Sequence, residues 1–195
     1  MRYTTVLKLN NRVGYDCITN AQKMHKAIQS LFDTDRESSD VLYVIKEINN
    51  SIMVRLQSNK IPNVSRNKTF SSALNKVVET ETKFEVGEEK TFSYLVEPQV
   101  CKGNRVYERY GTHYPDSKRY EWLSIVGNHN GFELVNVNCT KEKRINVTKG
   151  NHTFYIQPYN FYGKLRVTDT EKFKDFLEKG HGKHKAYGVG YLFVA

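Results

Sequence analysis

The chain is poor in the residues that build cross-linked, metal-clustered or membrane-embedded proteins. Its 195 residues include three cysteines, Cys17, Cys101 and Cys139. Their odd number and wide spacing argue against a disulfide framework, and no two stand close enough to begin a zinc knuckle. A reducing, cytoplasmic setting is the expectation. No apolar run approaches the ~20 residues that a membrane helix needs, so no membrane partner is expected. The opening MRYTTVLKLN alternates like a strand and lacks the apolar stretch and small-residue cleavage site of a signal peptide.

Several catalytic signatures are missing too. There is no Walker lysine pattern, no His-Glu-x-x-His helix and no Gly-x-Ser-x-Gly elbow. The glycines of GHGKHKAYGVG, residues 180–190, follow a helical stretch and precede a strand-like one, the reverse of the order a dinucleotide fingerprint requires. His113, His129 and His152 are scattered, and His181 with His184 has no ligand-like neighbour. The expectation is therefore no cofactor and no metal.

Positive charge is what the chain does have. Thirty Lys and Arg against 21 acids give a net charge of +9. Residues 1–98 carry 14 bases and 12 acids, whereas residues 99–195 carry 16 bases and 9 acids. A polyanionic partner that touches mainly the second half is favoured over a merely solubilising surface. The 13 Tyr and 10 Phe supply a core and stacking surfaces.

Hydrophobic periodicity predicts a strand over about residues 2–10, then a helix in ITNAQKMHKAIQSLF. Thr19 or Asn20 can cap that helix, and Met24, Ala27, Ile28, Leu31 and Phe32 share one face. VLYVIKEI and SIMVRLQS flank Asn49-Asn50 as a hairpin, with Ile52, Val54 and Leu56 on one face. Residues 60–90 read as polar and irregular, with one short helix around Ser72–Val78, and TFSYLVEP closes the first half as a strand. In the second half a helix opens at Pro115-Asp116, with Trp122, Ile125, Val126 and His129 at helical spacing and Asn130-Gly131 as its stop. A later helix carries a capping box, Thr168 with Glu171, and an apolar face of Phe173, Phe176 and Leu177. The final YGVGYLFVA reads as a strand. The order suggests an α+β chain of two tandem ferredoxin-like (RRM-like) domains, 1–98 and 99–195.

Three places could carry chemistry. His25 lies in the second turn of the first helix, where the helix dipole favours a neutral, proton-accepting imidazole. It is either that or a surface histidine on an amphipathic helix. Gly180, Gly182, Lys183, Lys185 and Tyr187 form a glycine-rich basic stretch. It suits either a backbone held close to a bulky ligand or a helix cap followed by an edge strand. Lys141, Lys143, Arg144 and Lys149 crowd a probable β-hairpin that could follow a nucleic-acid groove or simply be solvated.

Taken together, MHKAIQSLF, FSYLVEPQV, GNRVYERYG, YEWLSIVGNHNGFEL and above all FYGKLRVTDTEKFKDFLEKGHGKHKAYGVGYLFV resemble the CasE-type CRISPR endoribonuclease of Cascade, in the RAMP superfamily. The resemblance implies tandem ferredoxin-like domains and metal-independent cleavage of CRISPR repeat RNA beside a stem-loop, through attack of a 2′-hydroxyl on the adjacent phosphate. It implies His25 as a catalytic residue, with Lys26 steadying the phosphate. Some members carry Tyr three residues before this His, where Gln22 stands here, which leaves Tyr15 as a substitute. RNA contacts are implied at Lys183, Lys185, Tyr187, Gly180 and Gly182, and at Lys143 and Arg144. The implied partners are the repeat stem-loop and the other Cascade subunits. The competing readings are a non-cleaving RNA-binding subunit of the same fold and an unrelated protein that binds structured RNA.

Overall fold

In the computed structural model the described residues are 2–10, 15–33, 40–49, 51–80, 83–102 and 105–195. The chain forms two compact units. One holds Met1–Glu81 together with Ile145–Ile156 and His184–Gly188, and the other holds Thr82–Arg144, Gln157–Lys183 and Val189–Ala195.

The first unit begins with β1 (Tyr3–Leu9), α1 (Tyr15–Thr19) and α2 (Ala21–Gln29), followed by β2 (Leu42–Ile48), β3 (Ser51–Ser58) and β4 (Phe70–Glu79). Its sheet has the order β2-β3-β1-β4 with every pair antiparallel. That is a ferredoxin-like arrangement, in which the outer strands return across a helix or crossover to flank the central pair. Alternation along β1 and β3 turns Leu7, Leu9, Val54 and Leu56 inward. The α2 face of Met24, Ala27 and Ile28 packs on them, with Leu31 and Phe32 just past the helix end. Asn49 takes a positive φ of 49° at the β2–β3 turn, a conformation Asn tolerates better than most residues.

The second unit repeats the plan. Its strands are β5 (Glu89–Val96), β8 (Phe132–Lys141), β11 (Tyr159–Val167) and β12 (Tyr191–Val194), and its helices are α3 (Asp116–His129) and α4 (Thr170–Lys179). The sheet order is β12-β5-β11-β8, again wholly antiparallel. Two hairpins are inserted into this plan: β6 (Gln99–Lys102) with β7 (Arg105–Arg109), and β9 (Ile145–Lys149) with β10 (His152–Ile156). The core gathers Tyr94, Phe161, Phe132, Phe173, Phe176 and Leu123. The Trp122 indole N–H donates to the Gln99 carbonyl at 3.1 Å, and Tyr94 donates to the His181 carbonyl at 3.2 Å. Burial holds the Tyr94 phenol well above its usual range, so it stays a donor.

The chain is thus α+β with two tandem ferredoxin-like units. Several local expectations are corrected. The short helix expected around Ser72–Val78 is strand β4, whose backbone fills the open edge of β1; sheet pairing overrides the helix-compatible ALNK composition. TFSYLVEP consequently does not close the first sheet but forms the body of β5, central in the second. The α4 cap is Asp169, not Thr168: its carboxylate accepts from the Lys172 N–H at 3.1 Å. In α3 the inward residues are Arg119, Trp122, Leu123, Val126 and Gly127, while Ile125 and His129 are exposed. In YGVGYLFVA only Tyr191–Val194 is strand, and a 3-10 turn occupies Lys185–Tyr187.

Gly131 ends α3 as the Asn-Gly pair suggested. Its φ is 80°, and its carbonyl accepts from the Thr168 and Asp169 N–H groups, which ties the α3 exit to the α4 entrance. A Cβ there would strike the Asp169 carbonyl and lie 2.9 Å from the Phe173 nitrogen. Gly131→Ala should therefore destabilise the fold by more than ~1 kcal/mol, through left-handed strain and collision together. Urea unfolding of the variant beside the parent measures this.

Candidate active site

The first unit draws three distant stretches of chain around α2. Asn20 caps the helix, its side-chain oxygen accepting from the Gln22 N–H at 3.1 Å. The same oxygen accepts from the Thr148 N–H at 3.1 Å, and the Asn20 amide donates to the Thr148 carbonyl at 3.3 Å. Thr148 belongs to β9. One carboxamide therefore fixes the start of α2 and the backbone of a hairpin 128 residues further on.

On α2, Met24, Ala27 and Ile28 face the core, which leaves Gln22 and His25 half-buried beside that face and Lys23 and Lys26 exposed. Gln22 and His25 are three residues apart, so they are neighbours on the helix surface. Lys23 pairs with Asp16 at 2.8 Å.

The turn at Lys185–Tyr187 completes the group. Its conformation is set at both ends by left-handed backbone, at His184 with φ 66° and Gly188 with φ 84°. Tyr43, a buried β2 residue, donates its hydroxyl to the Ala186 carbonyl at 2.8 Å. A Cβ on Gly188 would come to 3.0 Å from the Tyr43 ring, so glycine lets the turn close on β2. The Tyr187 hydroxyl donates to the Gln22 side-chain oxygen at 3.1 Å. Its ring meets the His25 imidazole edge-on, centroids 6.2 Å apart. Phe154 of β10 packs on Tyr187 and His184, centroids 5.9 and 5.7 Å away. Imidazole, phenol and carboxamide thus meet at the start of one helix, with exposed Lys26 alongside.

Of the residues anticipated from sequence, His25, Lys26, Lys185 and Tyr187 lie in the first unit. Tyr15 is the first residue of α1, and its side chain lies outside the described residues. Gly180, Gly182, Lys183, Lys143 and Arg144 lie in the second unit. Gly180 caps α4 with φ 62°, and Gly182 has φ 91°. Lys143 and Arg144 are exposed in the link between β8 and β9 rather than at a hairpin tip, which falls at Gly150-Asn151. Arg144 donates to Gln157 at 3.4 Å. Among the described residues no three His, Cys, Asp or Glu side chains converge as metal ligands, and no helix is long and apolar enough to cross a membrane.

Tyr43, Phe154 and the Thr148 backbone escaped the sequence reading because their roles depend on long-range packing. Asn20 was visible as a cap but not as a hairpin clamp. The i, i+3 spacing of Gln22 and His25 was the one local signal that the two act together.

Fold and site define a protein of two tandem ferredoxin-like units with a histidine–tyrosine cluster on its first long helix. The chain belongs to the CRISPR associated protein family, whose model matches residues 3–195. None of the curated proteins compared with it matches. Among solved structures, Thermus thermophilus Cse3 bound to an RNA representing a pre-cleavage complex shares the fold with TM-score 0.80 and 20% identity, over 100% of this chain and 98% of that one. Cas6e from Escherichia coli K-12 gives TM-score 0.71 and 19% identity, over 100% and 99%. A chain of a CRISPR RNA-guided surveillance complex gives 0.72 and 17%, over 99% and 98%.

The clamp is directly testable. Asn20→Ala loses the cap and both Thr148 bonds and should cost about 1–2 kcal/mol, near the top of the range for cap deletions. Asn20→Asp keeps the acceptor and loses only the donor to Thr148, so it should cost less. Thermal unfolding of the two variants gives the order.

Proposed function

We propose that the chain is a metal-independent endoribonuclease that cuts precursor CRISPR RNA at repeat stem-loops and stays bound to its product. The observation that carries this reading is His25, held on a capped helix against Tyr187 with Lys26 beside it. Family membership supports it, as do the likeness to a Cse3 solved with a pre-cleavage RNA and the likeness to a chain of a surveillance complex.

The chemistry needs a base, an acid and charge stabilisation at the phosphorus. His25 takes the proton of the 2′-hydroxyl, whose oxygen then attacks the adjacent phosphate. The exposed Lys26 ammonium offsets charge on the non-bridging oxygens. The P–O5′ bond breaks, leaving a 5′-hydroxyl on one product and a cyclic phosphate on the other. The base and the charge stabilisation are side chains, and O5′ takes up a proton as it leaves, so the steps call for no metal ion. Lys183, Lys185, Lys143 and Arg144 contact RNA phosphates, Gly180 and Gly182 allow close backbone approach, and Tyr187 adds an aromatic face. The retained product links the chain to the other Cascade subunits, in the cytoplasm where the transcript is made.

Single-turnover cleavage of a repeat stem-loop tests the reading. His25→Ala should slow cutting by about 10²–10⁴-fold with RNA affinity close to the parent's. A repeat with 2′-deoxyribose before the scissile phosphate should bind and remain intact. Normal cutting by His25→Ala would return the residue to an ordinary surface histidine.

The lysines should behave in the opposite way. Lys183→Ala with Lys185→Ala should weaken binding and lower the slope of log affinity against log salt by about one to two, while the rate at saturating protein changes less. RNA titrations at several salt concentrations measure the slope.

A further inference from the structure

The base has a residue in the reading above, but the acid that protonates the leaving oxygen does not. We infer that this acid is Tyr187, delivered to α2 from the far end of the chain. The inference rests on the endoribonuclease reading and adds a second catalytic residue to it.

Three observations point to Tyr187. Its hydroxyl lies one helical turn from His25, on the Gln22 side-chain oxygen at 3.1 Å, and its ring meets the imidazole edge-on. A phenol hydroxyl is a donor, and here its proton is already directed at an acceptor on α2 beside the imidazole. The ring is also held from several sides: Phe154 packs edge-on against it, His184 lies within 6.4 Å, and Tyr43 fixes the backbone of the preceding residue. A side chain that served only to stack on a base would need none of the hydroxyl's placement.

Gln22 explains how both states of the acid are accommodated. Its carboxamide carries an acceptor and two donors. As found, the oxygen accepts from the neutral phenol. Once the phenol has given up its proton, rotation of the same amide presents N–H to the phenolate. A carboxylate at this position would hold the phenol equally well but would oppose its ionisation.

The step balances. The 2′-hydroxyl proton passes to His25, the O2′–P bond forms, the P–O5′ bond breaks, and O5′ takes the Tyr187 proton. The imidazolium then returns its proton through water to the phenolate, so the enzyme is restored with nothing oxidised or reduced. The attacking and leaving oxygens stand on opposite sides of the phosphorus, which requires two separate proton-transfer groups rather than one.

A bridging sulfur in place of O5′ tests the assignment, because a thiolate leaves without being protonated. Tyr187→Phe keeps the ring and its packing, and circular dichroism with RNA titration checks that folding and affinity are retained. On the all-oxygen repeat it should cut about 10²-fold or more slowly than the parent, within the usual range for a general acid. On the 5′-thio repeat it should approach the parent's rate, while His25→Ala stays slow on both. Normal cutting of the oxygen substrate by Tyr187→Phe would overturn the inference, and so would equal slowing on both substrates, which would mark a positioning role. Rescue of His25→Ala by the sulfur would assign the acid to His25 instead. If the parent cuts neither substrate, the endoribonuclease reading itself fails.

Discussion

The carboxamide of Asn20 joins two parts of the first unit that the chain itself keeps far apart, the start of α2 and the β9–β10 hairpin. Its oxygen caps α2 and meets the Thr148 N–H, while its amide meets the Thr148 carbonyl. The hairpin held in this way brings Phe154 against Tyr187 and His184. The turn that carries Tyr187 is in turn fixed to β2 through Tyr43. His25 therefore sits on a helix whose origin, flank and facing ring are all set by hydrogen bonds to other segments. The proton transfer proposed for His25 needs that placement within a fraction of an ångström, because such transfer falls off steeply with misalignment.

The same arrangement explains why the compact units do not follow the chain in two simple halves. Each sheet has the ferredoxin-like strand order. The second half of the sequence, however, lends Ile145–Ile156 and His184–Gly188 to the first unit. An insertion between two antiparallel strands is cheap in closure entropy and leaves the host sheet's register untouched. β8 and β11 pair along their length although the β9–β10 hairpin lies between them in sequence.

Much of this was legible in the sequence where the signal was local. The α2 face of Met24, Ala27 and Ile28, the β2–β3 turn at Asn49, the Gly131 stop and the α4 face of Phe173, Phe176 and Leu177 all follow from periodicity and backbone preference. The failures came where pairing partners decide. The stretch that forms β4 has the composition of a weak helix and becomes a strand only because β1 offers an edge. With β4 in that place, TFSYLVEP belongs to the second sheet, between β11 and β12. Within the site, His25 and Tyr187 were individually visible, but their meeting was not, since 162 residues separate them and only the folded turn brings the hydroxyl to Gln22.

The central claim is that a histidine and side-chain protons suffice to drive 2′-hydroxyl attack on a repeat phosphate. End-group analysis of the products by mass spectrometry, after cleavage of repeat RNA in excess EDTA, addresses it most directly. The account predicts a 5′-hydroxyl on the downstream fragment and a 2′,3′-cyclic phosphate on the upstream one. A 5′-phosphate with a free 3′-hydroxyl, or cleavage that returns only when a divalent ion is restored, would contradict it.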